Sequence, residues 1–289
     1  MPELPEVETV RKGLEQKVSN FDIKKINVLK ERSIASRGGS KVFVSEIEGL
    51  QISQWKRRGK YLIASLHGKK SANLKESFYH SGWLIVHLRM TGQFQLLKKK
   101  CPPCKHTRVR IWNKKGDELR FVDIRNFGQM WWIDSTERPE RLIKGLGNLG
   151  PEPFSSQFNA TYLKKKLNNR VRSIKSSLLD QSLIAGIGNI YADESLFAAK
   201  ILPTRKSNEI SEEELEKLCN CIIKILTLSI GKGGTTFSDF RDLKGLNGNY
   251  GSESLVYQRT NQPCKTCGAK IKKLKLSGRG THWCPKCQK

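Results

Sequence analysis

Length, composition and charge already restrict the function of this chain. It has 289 residues, of which 53 are Lys or Arg and 27 are Asp or Glu, so its formal net charge is +26. This excess predicts an anionic partner, nucleic acid before an acidic membrane surface. No apolar run approaches the ~20 residues that cross a bilayer, and no signal peptide is visible, so we expect an intracellular chain without a membrane segment.

The first 18 residues are predicted to form a helix. Apolar residues recur at helical spacing in Val7, Val10, Leu14 and Val18. Proline suits the first turn of a helix, and acids such as Glu6 suit its positive end. A helix therefore explains Glu6 but gives no reason for proline at position 2.

The middle of the chain changes from strand-like to helical patterns. Residues 21–135 contain short alternating or apolar runs separated by glycine and polar turns, which favours an antiparallel β-sandwich or barrel. Residues 137–154 are rich in Gly and Pro and are the candidate linker. Residues 156–230 have helical spacing, and Ser211 with Glu214 has the spacing of a capping box.

The fold class predicted from these patterns is α+β. An N-terminal β-sandwich led by a helix is followed by a helical domain and a small cysteine module. The predicted divisions are a domain at 1–136, a linker at 137–154, a helical domain at 155–251 with a glycine-rich loop from 231, and a zinc-binding hairpin at 252–289.

Four cysteines near the C-terminus have the spacing of a structural zinc site. They form two Cys-x2-Cys pairs separated by sixteen residues, a closed four-thiolate set: Cys264, Cys267, Cys284 and Cys287. The intervening segment reads as a basic β-hairpin with Arg279 at its tip, where neighbouring glycines favour phosphate contact. The predicted cofactor is one Zn²⁺.

The other four cysteines carry weaker signals. Cys101 and Cys104 provide only two thiolates, with His106 as a third possible ligand, so a second zinc is the less favoured interpretation. Cys219 and Cys221 lie in an apolar helical segment and are expected to be core residues.

A glycine-rich turn is expected between two helices at Gly186-Ile-Gly188-Asn189. Asn189 is a suitable N-cap for a helix that begins at Ile190. Free backbone N–H groups at such a helix start can bind phosphate, and the glycines would leave it access. The alternative is a plain connection between helices.

Proline at position 2 suggests a nucleophile. A small second residue normally permits removal of the initiator methionine, which would leave Pro2 with a free secondary amine. An α-amino group has a pKa near ~7.7–8.0, so part of it is unprotonated at neutral pH. Attack on a sugar aldehyde carbon would form an iminium cation, an electron sink that permits elimination of phosphate. Glu3, if its pKa is raised by burial, could act as a general acid.

Several motifs together resemble one family. "PELPEVETV" before a helix, "RRGKYL", "HLRMTG", "DIRNFG", "GIGNIYADESLF" and the four-cysteine hairpin are similar, in this order, to the formamidopyrimidine-DNA glycosylases, which are bacterial base-excision repair enzymes. The resemblance covers nearly the whole chain. It implies removal of oxidised purines from damaged double-stranded DNA, followed by β,δ-elimination at the abasic site.

The resemblance also implies roles for individual residues. Pro2 would form the Schiff base and Glu3 would donate a proton, while Glu6 would place the first helix. Lys60 would assist the β-elimination and Arg279 the δ-elimination. The backbone of the DNA would be contacted by His87, His106, Arg170 and Asn189, and Arg125 would bind DNA by facing the orphaned cytosine. Met90, Arg125 and Phe127 would fill the space left by the extruded base.

Alternatives and departures remain at this stage. An endonuclease VIII-like enzyme would prefer oxidised pyrimidines, and a zinc-dependent DNA-binding protein would have no activity. Residues 67–83 look longer than the usual family connection, and the cysteine pair at Cys101 is uncommon in it. The stretch 236–250 resembles the loop that closes over the lesion.

We expect a monomer in the bacterial cytoplasm, associated with the nucleoid.

Overall fold

The computed structural model describes residues 1–70, 77–236, 243 and 245–289. The chain divides into two compact units. The first unit contains residues 1–2, 6–147 and 235–248, and the second contains residues 3–5, 148–234 and 249–289. None of the described helices is long and apolar enough to cross a bilayer. The four-part domain division predicted above stays a prediction.

Ten strands and eight helices make up the regular structure of the described residues. The strands are β1 (Phe21–Val28), β2 (Gln51–Arg58), β3 (Tyr61–Lys70), β4 (Ser77–His87), β5 (Gly92–Leu97), β6 (Thr107–Asn113), β7 (Glu118–Asp123), β8 (Gln129–Asp134), β9 (Lys272–Leu276) and β10 (Arg279–Trp283). The helices are α1 (Leu4–Val18), α2 (Gly39–Ile47), α3 (Pro139–Leu142), α4 (Lys144–Gly147), α5 (Ala160–Leu167), α6 (Ile174–Leu178), α7 (Asn189–Ala199) and α8 (Glu212–Gly231).

Strands β1 to β8 form the predicted antiparallel sandwich. Their order is β5-β7-β6-β1-β2-β3-β4-β8, with every neighbouring pair antiparallel. The Trp55 ring of β2 nevertheless meets the Phe94 ring of β5 at a centroid distance of 6.1 Å. Three strands separate these two in the sheet order, so the sheet folds over and its halves pack face to face.

The apolar face of α1 packs into this sandwich. Val7, Val10 and Leu14 are fully buried in one cluster with side chains of the strands. The helix begins at Leu4 rather than at residue 1. Helix α2 was not predicted, because its N-cap residue Gly38 has no side chain to cap it and the segment carries no other start signal.

The second unit is built around α7. Nine of its eleven residues are buried, so it is the central helix of this unit. The predicted capping box of α8 is present: the Ser211 hydroxyl accepts from the Glu214 backbone, and the Glu214 side chain accepts from the Ser211 backbone. Strands β9 and β10 form the predicted hairpin, in which Ser277 and Gly278 occupy the turn with φ of 49° and 77°.

Candidate active site and zinc centre

The carboxylate of Glu3 caps the start of α7. Glu3 is only 3% exposed, and its Oε1 and Oε2 atoms accept N–H groups of Ile190 at 3.0 Å and Tyr191 at 3.4 Å. A negative charge is stabilised at this positive helix end. Glu3 therefore meets the condition of burial on which its proposed role as a general acid depends. The role of Glu3 as a proton donor stays a prediction.

This cap corrects two predictions for the glycine-rich turn. Helix α7 begins at Asn189 itself, and its N-cap is Gly188, so Asn189 is not the cap. The two N–H groups expected to bind phosphate donate instead to Glu3. Gly188 is needed for this approach, because a Cβ atom there would lie 2.3 Å from Cδ of Glu3. Gly186 has φ +89° and a Cβ there would lie 2.7 Å from Leu4.

A buried ion pair fixes the strand that follows Arg279. Lys175 on α6 lies 2.6 Å from Asp193 on α7, and these side chains are 1% and 0% exposed. The Lys175 Nζ also donates to Thr281 Oγ1 at 2.8 Å and to the Gly280 carbonyl at 3.0 Å. Burial lowers the pKa of Lys175, Arg279 acts in the same direction, and Asp193 opposes them.

Two further contacts hold the same strand. The Asp193 Oδ2 atom accepts the backbone N–H of His282 at 2.8 Å, and the Asn189 side chain donates to the Gly280 carbonyl at 2.9 Å. Arg279 itself is exposed at the first position of β10. The backbone behind the exposed guanidinium is thus anchored by α6 and α7. Sequence reasoning missed both members of the ion pair.

Lys60 and His87 are buried together in the first unit. Their exposures are 7% and 8%. Burial lowers the pKa of His87 to about 3, with Arg89 and Lys60 contributing as nearby positive charges. His87 Nδ1 accepts the backbone N–H of Arg89 at 3.0 Å, so the proton of the neutral ring lies on Nε2. His87 can therefore donate one hydrogen bond without carrying charge.

The pH dependence of stability tests this environment. The folded pKa of His87 lies below its ordinary value of 6.5, so the stability contribution of the neutral ring is complete above pH 6.5 and is lost as pH falls towards 3. Wild type should lose about 2 kcal/mol more than His87→Gln between pH 7 and pH 5. Urea unfolding at both pH values measures this, with the half-buried His106→Gln as control. Parallel pH profiles for wild type and His87→Gln would contradict the assignment.

The predicted intercalating residues lie on two loops joined by one carboxylate. Asp123 is fully buried; its Oδ1 accepts the Thr91 hydroxyl at 2.5 Å, and its Oδ2 accepts the Gly128 N–H at 2.7 Å. Thr91 Oγ1 in turn accepts the backbone N–H of Arg125 at 2.9 Å. Asp123 and Thr91 were not predicted as site residues, although both stand inside the motifs that carry the resemblance.

These loops place exposed apolar groups around one cleft. Met90 and Phe127 are 37% and 39% exposed. Together with Met1 they line a cleft of about 400 Å³, whose other lining residues are Arg32, Arg89 and Gln129. Pro2, the next residue after Met1, is buried. The structure thus brings the chain terminus and two of the three predicted intercalating residues to the same cleft, with Arg125 beside the Phe127 ring.

The remaining predicted residues have simpler surroundings. Glu6 is 1% exposed and its Oε1 accepts the Thr235 N–H at 2.8 Å, which supports a structural role. Arg170 pairs with Asp180 at 2.9 Å. His106 is half-buried, directly after the Cys101–Cys104 segment. The loop at 236–250 lies partly outside the described residues, as does the segment 67–83.

The four C-terminal cysteines fit a zinc ion. Their sulfur atoms all lie within 4.8 Å of one another, and two of the separations are 3.9 Å and 3.5 Å. A tetrahedron with Zn–S bonds of ~2.3 Å has S–S edges of about 3.8 Å. In the described part of the chain this is the only cluster of three or more candidate ligands, so Cys101 and Cys104 do not form a second one. The centre holds one structural zinc.

Zinc removal should disorder the hairpin. The thiolates hold together the two turns that flank β9 and β10, and binding energy at such a site is folding energy. A chelator is expected to abolish hydrogen-exchange protection in residues 272–283 and to release one zinc per chain. The Cys101→Ser/Cys104→Ser variant should keep that stoichiometry. Protection that survives complete loss of zinc would contradict this role.

The chain combines a sandwich led by a helix, a helical unit and a zinc hairpin with a net charge of +26. These features define a zinc-containing nucleic-acid-binding protein. Comparison with known families makes this more specific. Residues 1–130 match the formamidopyrimidine-DNA glycosylase N-terminal domain, residues 149–241 match the H2TH domain of the same glycosylases, and residues 261–289 match a zinc finger found in FPG and IleRS. The chain belongs to the formamidopyrimidine-DNA glycosylase family.

Individual relatives are similar to this chain over nearly its whole length. Two formamidopyrimidine-DNA glycosylases of Prochlorococcus marinus strains are 59% and 61% identical to this chain, with 100% of both chains covered in each comparison. A Lactococcus lactis Fpg in complex with abasic-site DNA is 36% identical, with a TM-score of 0.87 and 99% coverage of both chains. A Lactococcus lactis Fpg mutant in complex with Fapy-dG-containing DNA has a TM-score of 0.89, 36% identity and full coverage.

Proposed function

We propose that this chain is a base-excision repair glycosylase and abasic-site lyase that acts on oxidised purines in double-stranded DNA. The single observation that carries the proposal is the cleft in which the residue before Pro2 faces Met90 and Phe127. Removal of Met1 would leave the Pro2 nitrogen at this position. Family membership and relatives solved with damaged DNA support the same substrate.

The first chemical step forms a covalent bond to the sugar. The unprotonated Pro2 nitrogen attacks C1′ of the damaged nucleotide, and the glycosidic bond breaks as the base departs. Glu3 supplies a proton that opens the sugar ring, which leaves an iminium cation between Pro2 and C1′. The Pro2 nitrogen gives up its own N–H proton after the attack, and the departing base takes up a proton. The nitrogen lone pair that this restores then forms the C=N bond, so the positive charge rests on nitrogen.

The cation then permits two eliminations. Loss of a proton from C2′ breaks the C3′–O bond, and loss of a proton from C4′ then breaks the C5′–O bond, so that phosphate leaves on both sides. Lys60 would assist the first of these and Arg279 the second. His87 would donate from Nε2 to a phosphate oxygen, and further backbone contacts would come from His106, Arg170 and Asn189.

Extrusion of the damaged base has a cost that inserted side chains offset. Breaking the stacking of one base costs a few kcal/mol. Met90 and Phe127 would occupy the vacated space, and Arg125 would face the orphaned cytosine. We further propose that the chain acts as a monomer in the bacterial cytoplasm, on the nucleoid, since the relatives above are bacterial.

Borohydride trapping tests the proposal. The iminium should be reduced to a stable amine, so that wild-type protein becomes covalently joined to DNA with an abasic site or 8-oxoguanine opposite cytosine. A thymine glycol substrate should be trapped less efficiently. Absence of any adduct with the processed wild-type chain would leave only a non-catalytic DNA-binding protein, and a preference for thymine glycol would indicate the endonuclease VIII-like alternative.

A further inference from the structure

Two guanidinium groups lie over the ring of Phe127. The Cζ atom of Arg125 is 5.1 Å from the ring centroid and that of Arg32 is 5.5 Å from it. Both distances fall inside the ~6 Å range of cation–π attraction. Arg125 belongs to the same loop as Phe127. Arg32 belongs to the 3-10 turn Glu31–Ser33 after β1. No step of the proposed reaction uses a residue of this turn.

The backbone around Arg32 is tied to the elements that carry Phe127. The Ala35 N–H donates to the Met130 carbonyl on β8 at 2.8 Å, and Ile34 forms a parallel bridge with Met130. The buried Ser33 hydroxyl lies 3.4 Å from Oδ1 of Asn126, whose backbone has φ of 55°. The chain that directly follows Arg32 is thus fixed to β8 and to Asn126, the neighbour of Phe127.

A merely solvated arginine would explain the exposure of Arg32 but not this placement. Arg32 is exposed, as is its neighbour Arg37. Of these two exposed arginines, Arg32 is the one whose guanidinium lies over the Phe127 ring, and it lines the same cleft as Phe127 and Met90. An exposed aromatic side chain loses rotamer freedom on insertion, and a side chain already held in position loses less.

We propose that Arg32 is a positioning residue that holds the Phe127 ring in the orientation needed for insertion into the DNA stack. This rests on the role proposed above for Phe127. Arg32 and Arg125 both hold the ring before DNA arrives. Arg32 therefore acts on the displacement of a stacked base and not on the chemistry at C1′, so an abasic site needs it less than 8-oxoguanine does.

Single-turnover kinetics on two substrates separate these steps. Arg32→Ala should slow excision of 8-oxoguanine opposite cytosine by about two- to fivefold, the range of one exposed cation–π contact, and leave cleavage of a preformed abasic site unchanged. In a Phe127→Ala background, Arg32→Ala should have no further effect. Arg37→Ala removes the same charge nearby and should leave both rates as in wild type.

Several results would contradict the proposed role of Arg32. Equal slowing on both substrates, or an undiminished effect in the Phe127→Ala background, would overturn the proposal. A reduced salt dependence of binding for Arg32→Ala would instead indicate a phosphate contact. A wild-type rate for Arg32→Ala on 8-oxoguanine would also refute it. Failure of the proposed function itself looks different, because the wild type would then process neither substrate.

Discussion

Replacing Pro2 with glycine is expected to lower abasic-site cleavage by on the order of 100-fold, the scale of loss for one positioned catalytic group. DNA binding should be retained. Glycine also permits removal of Met1, so the variant still presents an α-amino group. The amine is primary, however. An iminium formed on it can lose its N–H proton and become a neutral imine, whereas an iminium on proline has no such proton and keeps its charge.

The comparison needs a control that alters a neighbouring proline. Pro5 lies in the first turn of α1 and has no amine to contribute, so Pro5→Ala should cleave abasic sites at close to the wild-type rate. Rates are measured in single turnover, and intact mass confirms that every variant has lost Met1. A Pro2→Gly chain that cleaves as fast as wild type would contradict the requirement for a secondary amine at this position.

The predictable features of this chain are those that rest on local patterns. The capping box at Ser211 and Glu214 needs three residues of spacing, and the zinc centre needs two Cys-x2-Cys turns. Strand alternation likewise gave the antiparallel sandwich. Each of these signals lies within a short stretch of chain, because the period of a helix or a strand is local. Conversely, the N-cap residue Gly38 of α2 has no side chain to cap the helix, and the Ser40 N–H donates instead to Oε1 of Glu31 at 2.8 Å.

The features that could not be predicted depend on residues distant in sequence. Asn189 is a residue type that often caps helices. The N–H group of Ile190 nevertheless donates to the carboxylate of Glu3, which lies 187 positions away in the sequence. A side chain from another segment replaced the local one, and this freed Asn189 to hold the hairpin. Lys175 reads as a surface lysine in its own segment. Its burial follows only from Asp193 and from the strand after Arg279.

The Lys175–Asp193 pair should show the largest effect on stability. Asp193→Asn keeps a hydrogen-bond acceptor for the His282 N–H but removes the charge opposite Lys175, which is 1% exposed. Breaking a buried pair from one side costs about 3–5 kcal/mol, since an uncompensated charge remains. Native-state hydrogen exchange of amides in α7 and β10 should show a loss of that size in opening free energy.

A second substitution distinguishes charge from packing. Adding Lys175→Met to Asp193→Asn removes the unpaired charge, so most of the lost stability should return. The exposed pair of Lys206 and Glu209 provides the matched control, and Glu209→Gln should cost less than about 1 kcal/mol. If the double variant is as unstable as Asp193→Asn alone, the loss comes from packing around α7. Arg279 would then be held in position by the fit of the hairpin against that helix, without a contribution from the buried charges.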